Sequence, residues 1–156
     1  MFANILVPLD GSALSEKALA MAQNLASTSD TSLHLMQVIS LRPELEARHG
    51  SGGESITILE MEQDAARQLI ELRTARGQHY LEGLAVQLQQ AGFHVTTVLR
   101  EGAAAENIVE YAKEQAIDLI VMRTHGRSGF TRFFVGSVTD RVIRTGETPV
   151  LVLPAS

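Results

Sequence analysis

The chain has no cysteine and only two lysines among its 156 residues. Without cysteine it has no disulfide framework, no thiolate metal site and no cysteine nucleophile, and a reducing compartment is permitted. No apolar run approaches the roughly 20 residues that span a bilayer, and residues 1–10 lack the basic segment that begins a leader peptide. We therefore expect a soluble, cytoplasmic protein with no membrane partner.

Several motifs of phosphate chemistry are also missing. There is no Gly-x-x-x-x-Gly-Lys-Ser/Thr, and the two lysines are Lys17 and Lys113. Gly-x-Gly-x-x-Gly and Gly-x-Ser-x-Gly are absent too. The histidines show no metal-ligand spacing, so we assign no metal site and no catalytic residue. Fast phosphoryl transfer has no evident machinery, and binding is favoured over turnover.

Charge is unevenly distributed along the chain. The net charge is −5, which argues against a nucleic-acid partner. Between positions 123 and 144 there are five arginines and one acid, Asp140, so this segment carries +4 and the remainder −9. A local positive field in an acidic chain suits a small anionic ligand, although a solvated helix face would have the same composition.

Apolar runs alternate with amphipathic segments from one end of the chain to the other. Short apolar or β-branched runs predict five strands, at Asn4–Leu9, Ser32–Ile39, Phe93–Leu99, Leu119–Met122 and Thr148–Leu153. Apolar stripes at helical spacing predict four helices between these strands. The first is marked by Leu14, Ala18, Met21, Ala22 and Leu25, and the second spans about Leu59 to Ala91. The third is marked by Ala105, Ile108, Val109, Ala112 and Ala116, and the fourth includes Val138 to Thr145. The order predicts one α/β domain over residues 1–156, a Rossmann-like five-stranded parallel sheet with helices on both faces.

Glycine and polar residues punctuate this pattern. Residues 40 to about 58 are rich in charged residues and glycine, and they predict a mobile surface loop rather than a domain boundary. In the long helix, Gly77 and Gly83 are tolerated weak points and Gly92 is the expected C-cap.

The binding site of such a sheet lies outside the carboxyl ends of its strands, where the strand order reverses. Here that places it at the loops after strand one and strand four, which begin at Pro8-Leu9-Asp10 and at Met122-Arg123. The second loop leads through Gly126 and Gly129 to Gly136-Ser137, the expected start of a helix. Strand, glycine loop and helix start together resemble an anion cradle.

These motifs carry a resemblance to a known family. Val7-Pro-Leu-Asp-Gly-Ser12, then His125-Gly126, nine residues to Gly136-Ser137, and finally Pro149-Val-Leu-Val resemble the universal stress protein family over the whole chain. The resemblance implies an adenine nucleotide alpha-hydrolase-like fold. It also implies binding of ATP or AMP, with Mg²⁺ as a possible companion of the phosphates, and a homodimer formed through Pro149 to Leu153.

Roles for single residues follow from this resemblance together with helix and strand geometry. Amides near Gly126, Arg127, Gly136, Ser137 and Val138 would face the phosphates, with His125 as a further phosphate contact. Asp10 would accept hydrogen bonds from the ribose hydroxyls, or else serve as a turn residue. Ser137 would donate its hydroxyl to a phosphate, or else cap its helix. Val38 and Met122 would flank adenine, with the Pro8-Leu9 backbone in the same slot, or else they are ordinary core.

One position departs from the family pattern. Arg123 stands where the nucleotide-binding branch has the first glycine of its motif. The side chain of an arginine at this position either turns away from the ligand or contacts it. The contact would be a steric clash or a hydrogen bond to a phosphate. Three hypotheses therefore stay open: a nucleotide-binding stress or regulatory protein, a homodimeric signalling module that binds no nucleotide, and a slow ATPase.

Overall fold

The computed structural model describes residues 2–40, 56–124 and 136–154, with side chains in the second range described from residue 63 onward. It contains five strands, β1 Asn4–Leu9, β2 Ser32–Ile39, β3 His94–Glu101, β4 Leu119–Arg123 and β5 Val150–Leu153. Its four described helices are α1 Ala13–Leu25, α2 Ile56–Gln90, α3 Ala104–Glu114 and α4 Ser137–Thr145. The predicted number and order of elements is thus confirmed in the described part of the chain.

All five strands form one parallel sheet in the order β3-β2-β1-β4-β5. The chain first proceeds outward from β1 to β3 and then crosses back to β4 and β5. The order therefore reverses between β1 and β4, which makes this pair the switch point.

The two faces of the sheet carry separate apolar cores, as alternation of side chains along the strands requires. One core joins Ile5, Val7 and Leu9 of β1 to α1 and α2. The other joins Leu6 of β1 and Met122 of β4 to α3 and α4. The prediction that helices cover both faces is confirmed.

Short-range hydrogen bonds fix the ends of the helices. Ser12 caps α1, because its side-chain oxygen accepts from the Ser15 amide at 3.2 Å. Gly92 has φ +92°, and the Gly92 and Phe93 amides bond back to Gln89 and Leu88 at 2.9 and 3.0 Å, which is the Schellman pattern. The C-cap predicted at Gly92 is confirmed.

Some details differ from the sequence prediction. The helix α2 begins at Ile56, so residues 56–58 are helical, while residues 41–55 of the predicted loop lie outside the described residues. In α1, Leu14 and Leu25 are exposed and Leu19 lies in the core instead. The helix packs through Ala18, Leu19 and Ala22, so the buried stripe is rotated from the one that the leucines suggested.

Among the described residues, no helix combines the length and the apolar character needed to cross a bilayer. The 35-residue α2 has the length, but its composition is mixed.

Candidate functional site

A crevice lies between β1 and β4 at their carboxyl ends, where Pro8 limits the pairing of the two strands. The two strands pair only at Ile5↔Leu119 and Leu6↔Ile120, whereas β1 pairs with β2 along its whole length. The Asn4 carbonyl accepts from the Asp118 amide, so Asn4, Leu6 and Pro8 direct their peptide groups toward β4. Proline has no N–H, so the next hydrogen bond of this ladder cannot form. The strands are therefore free to separate after Leu6.

A cavity of about 270 Å³ occupies this crevice. Its volume is close to the lower end of the roughly 300–1,000 Å³ range of small-molecule sites. Nine of the twelve residues proposed from the sequence line it: Pro8, Leu9, Asp10, Val38, Met122, Arg123, Gly136, Ser137 and Val138. The other three, His125, Gly126 and Arg127, lie outside the described residues.

The N-terminus of α4 forms one wall of the cavity. Gly136 is the N-cap, and its carbonyl accepts the first intrahelical bond, from the Asp140 amide at 2.9 Å. The amides of Ser137, Val138 and Thr139 therefore have no acceptor within the helix. The alternative in which Ser137 caps its own helix is wrong, because Ser137 is already the first helical residue. An anion in the cavity would meet these amides and the positive end of the helix dipole.

Asp10 lies on the opposite wall and is held in a turn. Its Oδ1 accepts from the Ser12 amide at 3.0 Å and from the Ser12 hydroxyl at 2.6 Å. These contacts match the turn role that the sequence left open. They also fix the direction of a carboxylate that is exposed at the rim of the cavity.

Arg123 is 6% exposed, and its Nη2 donates to the Pro154 carbonyl just after β5 at 2.6 Å. It follows Met122 in the strand, so the two side chains leave opposite faces of the sheet. Met122 packs in the α3/α4 core, on the same face as Val38. The guanidinium thus extends toward the end of β5, and the Arg123 side chain leaves the sheet on the face opposite to Met122 and Val38. Its carbonyl accepts from Thr139 Oγ1 at 3.3 Å.

All three described arginines of the positive segment are engaged. Arg141 forms an ion pair with Glu106 of α3, and Arg144 pairs with Asp140 at 2.9 Å. Arg123 bonds the Pro154 carbonyl. The positive field of the described part of this segment is therefore weaker than the sequence charge suggested. Among the described lining residues, the helix amides are the main donors toward the cavity.

Five further residues line the cavity that sequence reasoning did not assign to it: Ser15, Met36, Ala104, Ile108 and Thr139. Ser15 and Thr139 are buried, and each donates its hydroxyl to a backbone carbonyl. Ser15 Oγ donates to Ser12 at 2.8 Å, and Thr139 Oγ1 donates to Arg123 at 3.3 Å. Ile108 was on a predicted apolar stripe, but a stripe alone does not reveal which end of a helix borders a ligand.

A larger cavity of about 470 Å³ lies on the other face of the sheet, between α2 and the end of β2. It is lined in part by Gln37, Gly77 and Tyr80, and it shares Val38 with the crevice. None of the sequence-proposed residues except Val38 borders it. It also lacks a helix N-terminus among its described lining residues, so the smaller cavity is the better candidate for the predicted ligand.

Comparisons with known proteins agree with this architecture. Residues 1–154 match the sequence profile of the universal stress protein family. The universal stress protein MJ0531 of Methanocaldococcus jannaschii is 31% identical over 153 residues, which are 98% of this chain and 82% of that protein.

Solved structures share the fold. Hypothetical protein MJ0577 of the same archaeon superposes with a TM-score of 0.78 at 26% identity, over 100% of this chain and 98% of that one. A universal stress protein in complex with cAMP gives a TM-score of 0.67 at 22% identity, over 99% and 98% of the two chains. A family member from Arabidopsis thaliana with AMP bound gives 0.63 at 14% identity, over 99% and 92%. The parallel α/β fold predicted from the sequence is confirmed.

Tyr80, beside the larger cavity, gives a pH-dependent signature. Burial, and then its hydrogen bond of 3.1 Å to Glu16 and the charge of that carboxylate, raise the pKa of Tyr80 to about 12. Burial also raises the pKa of Tyr111, against the opposing charge of Arg100. Because the folded-state pKa of Tyr80 exceeds its ordinary value of 10.0, its contribution to stability is present below pH 10 and is lost as the pH rises toward 12.

We predict that neither phenol of the native protein ionises near pH 10. Ultraviolet titration of tyrosinate absorbance measures this directly, because the chain has only two tyrosines and no tryptophan. Tyr80→Phe should remove the step at about 12, and Glu16→Gln should move that step to lower pH. A native step near pH 10 that vanishes in Tyr80→Phe would contradict the assignment.

Proposed function

The chain belongs to the universal stress protein family, and we propose that it binds an adenine nucleotide, ATP or AMP, in the crevice between β1 and β4. The observation that carries the proposal is the convergence of nine sequence-proposed residues on one cavity at the switch point of the sheet. Bound cAMP and AMP in two proteins of the same fold support the choice of an adenine nucleotide.

The phosphates would lie at the N-terminus of α4. The Ser137 and Val138 amides point out of the helix there, and the Ser137 hydroxyl adds a donor. Gly136 has no Cβ, so a phosphate oxygen can approach the N-cap closely. From the sequence pattern, we propose that the remaining phosphate contacts come from His125, Gly126 and Arg127. An Mg²⁺ ion, if carried by the phosphates, would bind mainly to their oxygens.

The nucleoside would occupy the apolar part of the cavity. Val38 and Met122 lie on the same face of the sheet and offer a slot for the adenine ring, with the Pro8-Leu9 backbone along its edge. Asp10, held by Ser12 at the rim, would accept hydrogen bonds from the ribose hydroxyls. Arg123, whose side chain extends toward Pro154, neither bars nor grips the ligand in this arrangement.

We propose binding rather than turnover. Asp10 is the one carboxylate among the described residues that line the cavity, and its Oδ1 already accepts two hydrogen bonds. An oxygen held in this way is a poor general base for activating water. Slow ATP hydrolysis is the alternative to binding without turnover.

Nucleotide binding is testable by isothermal titration calorimetry with AMP, ADP and ATP. We predict binding by the native protein and a dissociation constant at least about tenfold higher in Gly136→Glu, because a carboxylate at the N-cap would repel the phosphates. The matched control is Gly83→Glu, where nothing lies within 4 Å of an added Cβ. Arg123→Met should stay within about threefold of the native affinity, since its side chain extends away from the ligand.

Absence of heat with all three nucleotides at millimolar concentration would refute the proposal. Equal losses in Gly136→Glu and Gly83→Glu would place the binding site elsewhere. A loss in Arg123→Met as large as in Gly136→Glu would show instead that the arginine contacts the nucleotide.

We further propose that the protein forms a homodimer through β5. This strand is the outer edge of the sheet, and all four of its residues are apolar and only partly buried. The Pro149 carbonyl accepts from Ile120 of β4 and the Leu153 carbonyl from Thr124, which directly follows β4. The intervening Val150 and Val152 therefore direct their peptide groups away from β4. Such an edge can pair with a second copy.

Sedimentation at dilute concentration tests this edge directly. We predict a dimer for the native chain and a shift to monomer in Val152→Pro, which removes an outward N–H without removing a bond to β4. Val152→Thr keeps the N–H and the β-branched shape and should remain dimeric. A native monomer, or a Val152→Pro protein that stays dimeric, would refute edge pairing.

A further inference from the structure

A buried polar pair on the α3/α4 face of the sheet has no part in the nucleotide proposal. His34 of β2 is 7% exposed and Tyr111 of α3 is 5% exposed. His34 Nδ1 and the Tyr111 hydroxyl lie 2.8 Å apart, and the two rings meet edge to face with their centroids 5.7 Å apart. Tyr111 belongs to the same apolar core as Met36 and Ile108. The hydrogen bond therefore joins α3 to β2 inside an apolar region.

The neutral ring of His34 suits this environment better than the protonated ring. A neutral imidazole has one N–H donor and one acceptor nitrogen, whereas an imidazolium has two donors and a positive charge. His34 Nδ1 is bonded to Tyr111, but Nε2 is buried and has no hydrogen-bond partner among the described residues. Burial accordingly lowers the pKa of His34 below its ordinary value of 6.5.

The strongest charge beside the pair is itself positive. Arg100 of β3 lies over the Tyr111 ring, 5.2 Å from its centroid. The same guanidinium pairs with the carboxylates of Glu110 at 3.3 Å and Glu114 at 2.5 Å, both on α3. These carboxylates are thus already engaged by an arginine, and a second cation at His34 would compete with it.

Other titratable groups on the surrounding elements are exposed or held by the backbone. His94 of β3 and Lys113 of α3 are exposed, and a protonated His94 would add positive charge to this face. Asp118 accepts from two backbone amides at 2.8 Å. On β1, the residue paired with His34 is the apolar Leu6.

We propose that the His34–Tyr111 hydrogen bond is an acid-sensitive latch that holds α3 on the sheet. Protonation of His34 would weaken the latch, because the buried ring would gain a charge and a second donor beside Arg100. Opening of α3 would then become easier, since water solvates the imidazolium in the opened state. Ala104 and Ile108 of the same helix line the crevice, so acidification would loosen part of one wall.

The direction of the pH effect follows from the lowered pKa of His34. In the opened state the ring has its ordinary pKa of 6.5, so below that pH the opened state binds more protons than the closed state. The latch is therefore at full strength above pH 6.5, and it weakens as the pH falls below that value.

Hydrogen exchange of backbone amides tests the latch in the nucleotide-free protein, so the outcome does not depend on nucleotide binding. We predict that the open fraction of the Tyr111 and Ala112 amides rises at least about threefold between roughly pH 7.5 and pH 5.5, after correction for intrinsic exchange rates. The Leu19 and Ala22 amides of α1 should change little, because α1 does not contact the pair. A rise shared equally by α1 would reflect global unfolding and would overturn the proposal.

Two histidine variants provide the matched control. His34→Gln keeps an amide that can bond the Tyr111 hydroxyl but cannot be protonated, and it should abolish the rise in α3. His94→Gln removes an exposed histidine from the same face of the sheet and should keep the rise. The proposal is overturned if α3 shows no rise in the native protein, or if the rise persists in His34→Gln.

A titration of the histidine rings by NMR needs no variant, and it decides the question even if His34→Gln does not fold. The ring of His34 in the native protein should titrate below its ordinary pKa of 6.5. A ring of His34 that titrates at or above that value would overturn the proposal, because protonation would then not weaken the latch.

Discussion

The hydrogen bond that Pro8 cannot donate shapes the edge of the sheet where the proposed binding site lies. A proline in the central strand of a parallel sheet would ordinarily break a ladder, and here it breaks only the one facing β4. The pairing with β2 continues undisturbed because the peptide groups of alternate residues face opposite neighbours. The result is a crevice at the point where strand order reverses, bordered by Asp10 on one side and by the N-terminus of α4 on the other.

Among the described residues, donors toward this crevice come from the backbone more than from charged side chains. Arg141 and Arg144 are paired with acids, and Arg123 bonds a carbonyl beyond β5. The free amides at the start of α4 keep their direction whatever the ionic strength, since they belong to a helix that packs through Thr139 and Val142. The sequence predicts that Arg123 stands at a glycine position of the family motif, and with its guanidinium bonded to Pro154 it would not fill the cavity.

The sequence was sufficient to predict those structural elements that have a periodic apolar pattern or that end at a glycine. The bounds of β1 and β2, the glycine cap at Gly92 and the two covered faces follow from such signals. The buried stripe of α1 did not, because Leu19 and Leu14 are equally apolar and only packing against the sheet selects between them. The direction of the Arg123 side chain depends on strand parity and on a partner 31 residues away, which no local pattern contains. The larger cavity was not predicted because its lining comes from the end of β2 and from α2, which are far apart in the sequence.

The two cavities lie on opposite faces of one sheet and meet at Val38, yet their chemistry differs. The crevice has helix amides beside an apolar slot, whereas the larger cavity is lined by Arg73, Arg76 and Tyr80 of α2 and by the end of β2. The most direct test of the central claim is a backbone amide NMR titration with AMP. If AMP binds in the crevice, we expect shifts at Ser137, Val138, Val38 and Met122, with Gln37 and Gly77 little changed. Shifts centred on Gln37 and Gly77, or none at the start of α4, would contradict it.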